Sequence, residues 1–306
     1  RNLFRSHRQI RRTEAMVFSS MVFLCIFLPV VFLLHLLLPG IRAKNGMLLL
    51  ASLIFYAYGE PVYVILMIAS AFVNYLSALL IGRKPTGKKA VMAVNVILNL
   101  GVLVLFKYTG FLAESVNTIL GTAIPVPSIR LPIGISFFTF QAMSYVIDVY
   151  RGVTGAQKNF GKVLLYISFF PQLIAGPIVK YHDIAQEIEN RTQTVDGVTD
   201  GIRRFIVGLS KKVLISNTVG LVADTLFAAD VSGLNAAAAW IGAVSYMLQI
   251  YFDFSGYSDM AIGLGEMFGF HFKENFNYPY ISGSIREFWR RWHMSLSGWF
   301  QEYLYI

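Results

Sequence analysis

Six stretches of this chain are almost free of charge and long enough to cross a lipid bilayer: residues 17–38, 61–82, 90–106, 131–147, 213–229 and 234–252. A spanning helix needs roughly 20 apolar residues, with about 17 as the lower bound. In hydrocarbon the backbone satisfies its own hydrogen bonds only as a helix or a closed barrel, and long runs without alternation select the helix. The expected fold is therefore all-α and polytopic. Composition agrees, with 56% hydrophobic and 14% charged residues, against about 25% charged in a soluble domain.

Two further stretches read as interrupted. Residues 47–58 (MLLLASLIFYAY) are uncharged but too short for a perpendicular crossing, and Pro61 offers a start for the next helix. They are expected to form a short span or one half of a helical hairpin. Residues 163–179 (VLLYISFFPQLIAGPIV) are long enough, yet Pro171, Gly176 and Pro177 interrupt the second half, because a proline inside a helix removes a backbone bond and kinks it. A broken or re-entrant helix is expected, enclosed by protein or lining a wet cavity.

The net charge of +9 suggests nucleic acid only until the charges are placed. They lie in short loops between apolar runs, not on one face or in one tract, so no nucleic-acid partner is expected. Short loops rich in Lys and Arg belong on the cytoplasmic side, which places residues 42–44, 83–89, 151–162 and 180–212 there. Residues 108–129 carry only Glu114 and read as external. With 151–162 and 180–212 on one side, residues 163–179 must enter and leave by the same face. The same count puts the N-terminus outside, in conflict with the five arginines of residues 1–15. Those residues are read as a basic leader upstream of a true start at Met16, and residues 16–306 as one membrane domain. The first apolar run is too long for a signal peptide and stays as a span, and the lone Cys25 excludes an internal disulfide.

The residues with most chemistry lie in "REFWRRWHMSLSGWF", residues 286–300. Taken as one helix, Arg286, Arg290, His293 and Ser297 share a face, and Trp289, Trp292, Leu296 and Trp299 share another. Spacing alone leaves two readings. The helix is an interfacial anchor, with arginines on headgroups and tryptophans in the aromatic belt, or it tips His293 into a polar cavity, where an ordinary pKa near 6.5 suits a general base. In "YFDFSGYSD", residues 251–259, Asp253 and Asp259 lie about 240° apart on a continuous helix and form no one-face dyad. Gly256 offers a break between them. Carboxylates at membrane depth usually face a cavity; a helix-end cap at the interface is the alternative. "KENFNYPYISGSI", residues 273–285, reads as a surface connection in which Pro279 restricts Tyr278 to extended backbone. His7, His35, His182 and His271 read as structural. No Walker loop, HExxH, GxSxG or cysteine pair is present, which leaves nucleotide hydrolysis, zinc proteolysis and a serine-hydrolase elbow without support.

Read together, residues 251–300 closely resemble the signature region of the membrane-bound O-acyltransferases, nearest to the alginate O-acetyltransferase branch. "MVFSSMVFLCIFLPVVF" at 16–32, "LPIGISFFTFQAMSYVIDVYRG" at 131–152 and "FFPQLIAGPIVKY" at 169–181 resemble the same branch. The resemblance implies a ring of transmembrane helices around a thin centre with broken or re-entrant helices. It implies transfer of an acyl group from a cytoplasmic thioester to a hydroxyl at or beyond the outer face of an inner or plasma membrane. Acetyl-CoA is the implied donor substrate, with no bound cofactor and no metal. A cell-surface or exported polysaccharide is the implied acceptor, and an extracytoplasmic esterase-like protein the implied acyl relay. Members carry two functional histidines: His293 matches the first, and the second, the expected base, lies beyond Ile306, so this chain is expected to lack part of its active site. His293 is then expected to handle protons in the tunnel. Arg286, Arg290 and Arg291 are expected to hold donor phosphates at the cytoplasmic mouth, and Trp289, Trp292, Ser297, Asp253 and Asp259 to line the tunnel or bind donor. The rival readings are D-alanyl transfer from a carrier protein to teichoic acid and, from another class, a secondary transporter. The transporter would need an internal repeat, and none is visible.

Overall fold

The computed structural model describes residues 16–305 apart from 84, 85, 124, 128, 175, 231 and 232; the leader expected at 1–15 lies outside the described residues. Within them the chain forms helices α1 (Leu28–Leu37), α2 (Gly40–Gly59), α3 (Tyr63–Arg83), α4 (Lys88–Lys107), α5 (Thr109–Leu120), α6 (Ile135–Arg151), α7 (Phe160–Ser168) and α8 (Phe170–Leu173). They are followed by α9 (Tyr181–Glu189), α10 (Val195–Ser210), α11 (Asn217–Phe227), α12 (Ala236–Met267), α13 (Ile285–Arg291) and α14 (Met294–Tyr303), and no strand is present among the described residues.

Among the described residues three helices are long and apolar enough to cross a membrane: Tyr63–Arg83, Lys88–Lys107 and Val195–Phe227. The last joins α10 and α11 into one rod through a π-helical segment, Lys211–Ser216, so the run expected at 213–229 is only its second half. The expected run at 17–38 is helical from Phe23 to Leu37, and Leu38 and Pro39 are extended. Residues 47–58 prove to be the end of the 20-residue α2, about 30 Å long. Its first turns hold Arg42, Lys44 and Asn45, polar residues that conceal the helix from a hydropathy reading. The stretch expected to be external contains α5, which has no buried residue.

Two packing devices hold the long helices. Between α3 and α4 three buried amides interlock: Asn74 Nδ2 donates to Asn99 Oδ1 at 3.1 Å, while Asn95 and Asn99 donate to Asn74 Oδ1 at 3.1 and 3.0 Å. In apolar surroundings such bonds specify which helix faces meet. Between α10 and α12 the device is close approach. A Cβ on Gly208 would sit 2.5 Å from the Gly256 carbonyl oxygen, and one on Gly263 would sit 2.5 Å from that of Gly201. Gly256 therefore does not break the helix between Asp253 and Asp259; it lets α10 pack against a continuous α12.

The interruption expected within 163–179 falls at Phe169 (φ −55°, ψ 114°), which separates α7 from α8. Pro171 sits in the first turn of α8, where its missing N–H costs nothing. The segment is buried against α2, α3, α6 and α12. The Tyr166 hydroxyl donates toward the Gln141 and Val179 carbonyls at 3.2 and 3.0 Å, tying the segment to α6 and to its own return.

Candidate functional site

The C-terminal end of α12 lies level with the basic loop. Arg191 donates to the Phe268 carbonyl at 2.9 Å, Gln193 to that of Met267 at 2.5 Å, and Glu187 accepts from the His271 N–H at 3.1 Å. From there the chain turns back along α12. The side chain of Asn275 donates to Ser258 at 2.9 Å, and that of Tyr280 to the Met247 carbonyl at 2.8 Å. At 1.5 Å of rise per residue these anchors stand about 13 and 30 Å from Met267. After the short turn Pro279–Ile281 the chain returns through α13, and the Asn277 N–H donates to the Arg291 carbonyl at 2.9 Å. Residues 273–294 are thus a hairpin laid along α12: the expected connection at 273–285 is largely exposed, but it is anchored through Asn275 and Pro279, which are buried.

Its two turns demand the only positive φ values outside glycine among the described residues, Tyr278 and His293, both at 44°. Tyr278 was expected to be extended. Both of its flanks are pinned, Asn277 to Arg291 and Tyr280 to Met247, so the chain must reverse at this residue despite a left-handed cost of about 1–2 kcal/mol.

The single helix expected over 286–300 is also two. α13 ends at Arg291, Trp292 is extended, and His293 is the left-handed N-cap of α14. The expected faces accordingly separate. Trp292 packs with Phe288, Phe276 and Tyr251; Trp299 stacks on Phe140 at 4.6 Å; Trp289 is exposed. Ser297 donates to the Trp289 carbonyl at 3.1 Å, bridging the two helices. Arg291 is held by Glu287 at 2.9 Å, whereas Arg286 and Arg290 are exposed.

The break delivers His293 to a buried polar knot. Its Nδ1 lies 3.1 Å from Asn275 Oδ1, which also accepts from the Ser295 hydroxyl at 2.8 Å and the Ser295 N–H at 3.2 Å. The Ser295 hydroxyl in turn accepts from the Ile178 N–H at 3.0 Å, joining the knot to the interrupted segment. Phe254 meets the imidazole edge-to-face at 4.7 Å. Burial lowers the His293 pKa to about 4, so the ring is neutral at physiological pH. A neutral imidazole with one nitrogen as donor keeps the other as a proton acceptor.

Asp253 and Asp259 stand apart from this knot. Asp259 pairs with Arg204 at 3.0 Å and Lys211 at 2.6 Å, and Asp253 with Lys212. Arg204 also takes both oxygens of Glu274, at 2.6 and 2.5 Å, so this network braces the residue next to Asn275. Of the other described histidines, His182 pairs with buried Asp148 at 2.8 Å and His271 with Glu187 at 2.7 Å, while His35 lies edge-on to Phe268; His7 lies outside the described residues. Asp148 also accepts from Tyr303 at 2.9 Å, fixing the far end of α14.

A cavity of about 330 Å³ opens on the basic-loop side of the knot, lined by Lys180, Asp183, Lys273, Ser295 and Glu302 among others. Lys273 pairs with Asp183 at 2.6 Å, and Lys180 with Glu302. Asn275, Ser258 and Ser295 were missed in the sequence, since no periodicity links an asparagine to a histidine across two turns. The local sequence Glu274–Asn275–Phe276 carries no signal that singles out this asparagine from its neighbour Asn277.

Comparison with known proteins gives this geometry its context. Over 298 residues the chain is 47% identical to a probable alginate O-acetylase of Pseudomonas aeruginosa, covering 95% of this chain and 57% of that protein. It is 36% identical to the peptidoglycan O-acetyltransferase of Helicobacter pylori over 97% of this chain and 62% of that one. A teichoic acid D-alanyltransferase of Bacillus subtilis is 32% identical over 57% of this chain and 45% of its own length. The chain thus spans under two thirds of the length of these relatives. Residues 153–306, half of the chain and all of the hairpin and its knot, match one family signature: the chain belongs to the membrane-bound O-acyltransferase family.

Proposed function

We propose that this chain forms the membrane core of an O-acyltransferase that moves an acetyl group from a cytoplasmic thioester toward hydroxyls of a cell-surface or exported polysaccharide. The observation that carries the reading is a buried, neutral imidazole tied through Asn275 to Ser295, which lines a cavity on the basic-loop side. In the reaction the acceptor oxygen attacks the thioester carbonyl carbon while a neutral imidazole takes the hydroxyl proton. The C–S bond then breaks, and the imidazolium returns the proton to the departing thiolate. His293 handles this proton, and enclosure of both reactants supplies proximity.

Acetyl is favoured over D-alanyl because the relatives named for acetylation match 95–97% of the chain, whereas the D-alanyltransferase matches 57%. The donor is acetyl-CoA, and Lys273, the exposed cation of the cavity lining, is the group offered to its phosphates. Arg286 and Arg290 of α13 lie on the other side of His293, toward Met247, and face the acceptor side. Trp292 lines the wall between the two, and the membrane is the cell's inner or plasma membrane.

In this reading residues 163–179 enter and leave by the cytoplasmic face, as the burial of the segment and the two basic flanks suggest. Single cysteines replacing Lys158 and Asp183, in a Cys25→Ser background, are expected to react with an impermeant maleimide from the cytoplasmic side. Labelling from opposite sides refutes it.

The reading also needs a partner. Between α4 and α6 the external stretch offers α5 and few aromatic or polar groups for sugar, so an extracytoplasmic esterase-like protein is expected to accept the acetyl group and pass it on. The test uses inverted vesicles holding the complete protein, with labelled acetyl-CoA outside. Label should reach enclosed polymer slowly alone and at least about tenfold faster with the partner. No thioester consumption removes the function; full polymer labelling without a partner removes the relay.

A further inference from the structure

We infer that Asn275 is the positioning residue that holds His293 in its Nδ1–H tautomer and leaves Nε2 as the proton-accepting nitrogen. The inference rests on the reading of His293 as the proton-handling group.

Asn275 is fully buried, and its own orientation is fixed by groups that have no choice of role. The Ser295 backbone N–H can only donate, and it points at the Oδ1 position from 3.2 Å. Turning the amide over would set Nδ2 against that N–H, donor against donor, at a fully buried side chain. Oδ1 therefore faces His293, and the amide nitrogen faces Ser258.

An oxygen that only accepts, 3.1 Å from Nδ1, requires the ring to carry its proton there. The Ser295 hydroxyl does not compete. It lies 3.5 Å from Nδ1 and spends its proton on Asn275 Oδ1. Nε2 makes no hydrogen bond among the described residues.

The backbone serves the same end. The Met294 N–H donates to the Asn275 carbonyl at 3.0 Å, so one residue fixes both the entry to α14 and the ring that caps it. The left-handed His293 is thereby over-determined from two directions, the condition under which strained backbone persists at a working site.

The inference is tested on the complete protein, reconstituted in nanodiscs with ¹⁵N-labelled histidine, the His293 signals being identified by their loss in His293→Gln. Wild type is expected to show a protonated Nδ1 and a bare Nε2. Asn275→Leu should lose that preference and lower kcat by about 10²-fold, with KM within about twofold. Asn275→Asp, which keeps the acceptor, should retain the tautomer and restore kcat to within about tenfold of wild type. Ser295→Ala, which leaves Oδ1 in place, should also keep the tautomer. If Asn275→Leu does not insert, Asn275→Ser, too short to reach Nδ1, is read in its place. A bare Nδ1 in wild type, or an unchanged tautomer in Asn275→Leu, overturns the inference. Undiminished transfer by His293→Gln would overturn the functional reading instead, and the spectra would still decide the role of Asn275.

Discussion

Replacing His293 by Gln or Ala in the complete protein is expected to lower acyl transfer by about 10²–10⁴-fold, the usual contribution of a positioned proton-transfer group, while the protein still inserts and elutes as a single species. The expectation follows from a ring buried within a knot that satisfies Nδ1 and leaves Nε2 without a partner. The pH dependence has a definite sign. Burial lowers the pKa from 6.5 to about 4, so the neutral, proton-accepting form persists in the folded protein well below the range where a free imidazole is charged. The acid limb of the rate should therefore lie near pH 4 and not near 6.5. Linkage runs the same way: below pH 6.5 the unfolded chain binds a proton that the folded one does not, and stability falls as pH drops from 6.5 toward 4. Initial rates from pH 4 to 8, with donor saturating, read the limb directly. Wild-type transfer by an inserted His293→Ala variant would sink the assignment.

The fold class was legible because hydrophobic run length is read one residue at a time and needs no partner. α3 and α4 lie close to their expected bounds for that reason. The interruption in 163–179 was legible in kind, since proline chemistry is local, but its position at Phe169 was not, because Pro171 could begin a helix as well as end one. α2 and the first half of the α10–α11 rod were underestimated where polar residues occupy helical positions.

At the site, the sequence picked out His293 but assigned it the wrong backbone. Nothing in "RRWHMSLS" announces a left-handed histidine. The break exists because Asn275, Asn277 and Ser258, distant in sequence, hold the two sides of the hairpin. For the carboxylates the sequence left out the partners: Asp253 borders a cavity of about 320 Å³, and both groups are also paired from the neighbouring helix, Asp259 with Arg204 and Lys211 and Asp253 with Lys212.

The second large effect concerns that neighbouring helix. Gly208→Val is expected to prevent accumulation of folded protein, and Gly208→Ala to lower its melting midpoint in detergent by about 10 °C. The methyl group of alanine would lie 2.5 Å from the Gly256 carbonyl oxygen and 2.7 Å from the Met260 nitrogen, both backbone atoms of a continuous helix. No rotamer change relieves such a contact, so the helices must separate. Separation also pulls Arg204 and Lys211 away from Asp259, leaving that carboxylate unpaired. Overpacking alone costs about 1–3 kcal/mol, occasionally more, and a kilocalorie shifts the midpoint by roughly 2–4 °C in a protein of some 150–250 residues. Gly233→Ala provides the control, since a Cβ there meets nothing within 4 Å. If the Gly208→Ala protein melts with the control, the glycines do not set the approach of α10 to α12. If it melts early yet keeps full kcat in the cold, the ion pairs that brace Glu274, and through it Asn275, do not reach the imidazole. The expected result is that midpoint and kcat fall together.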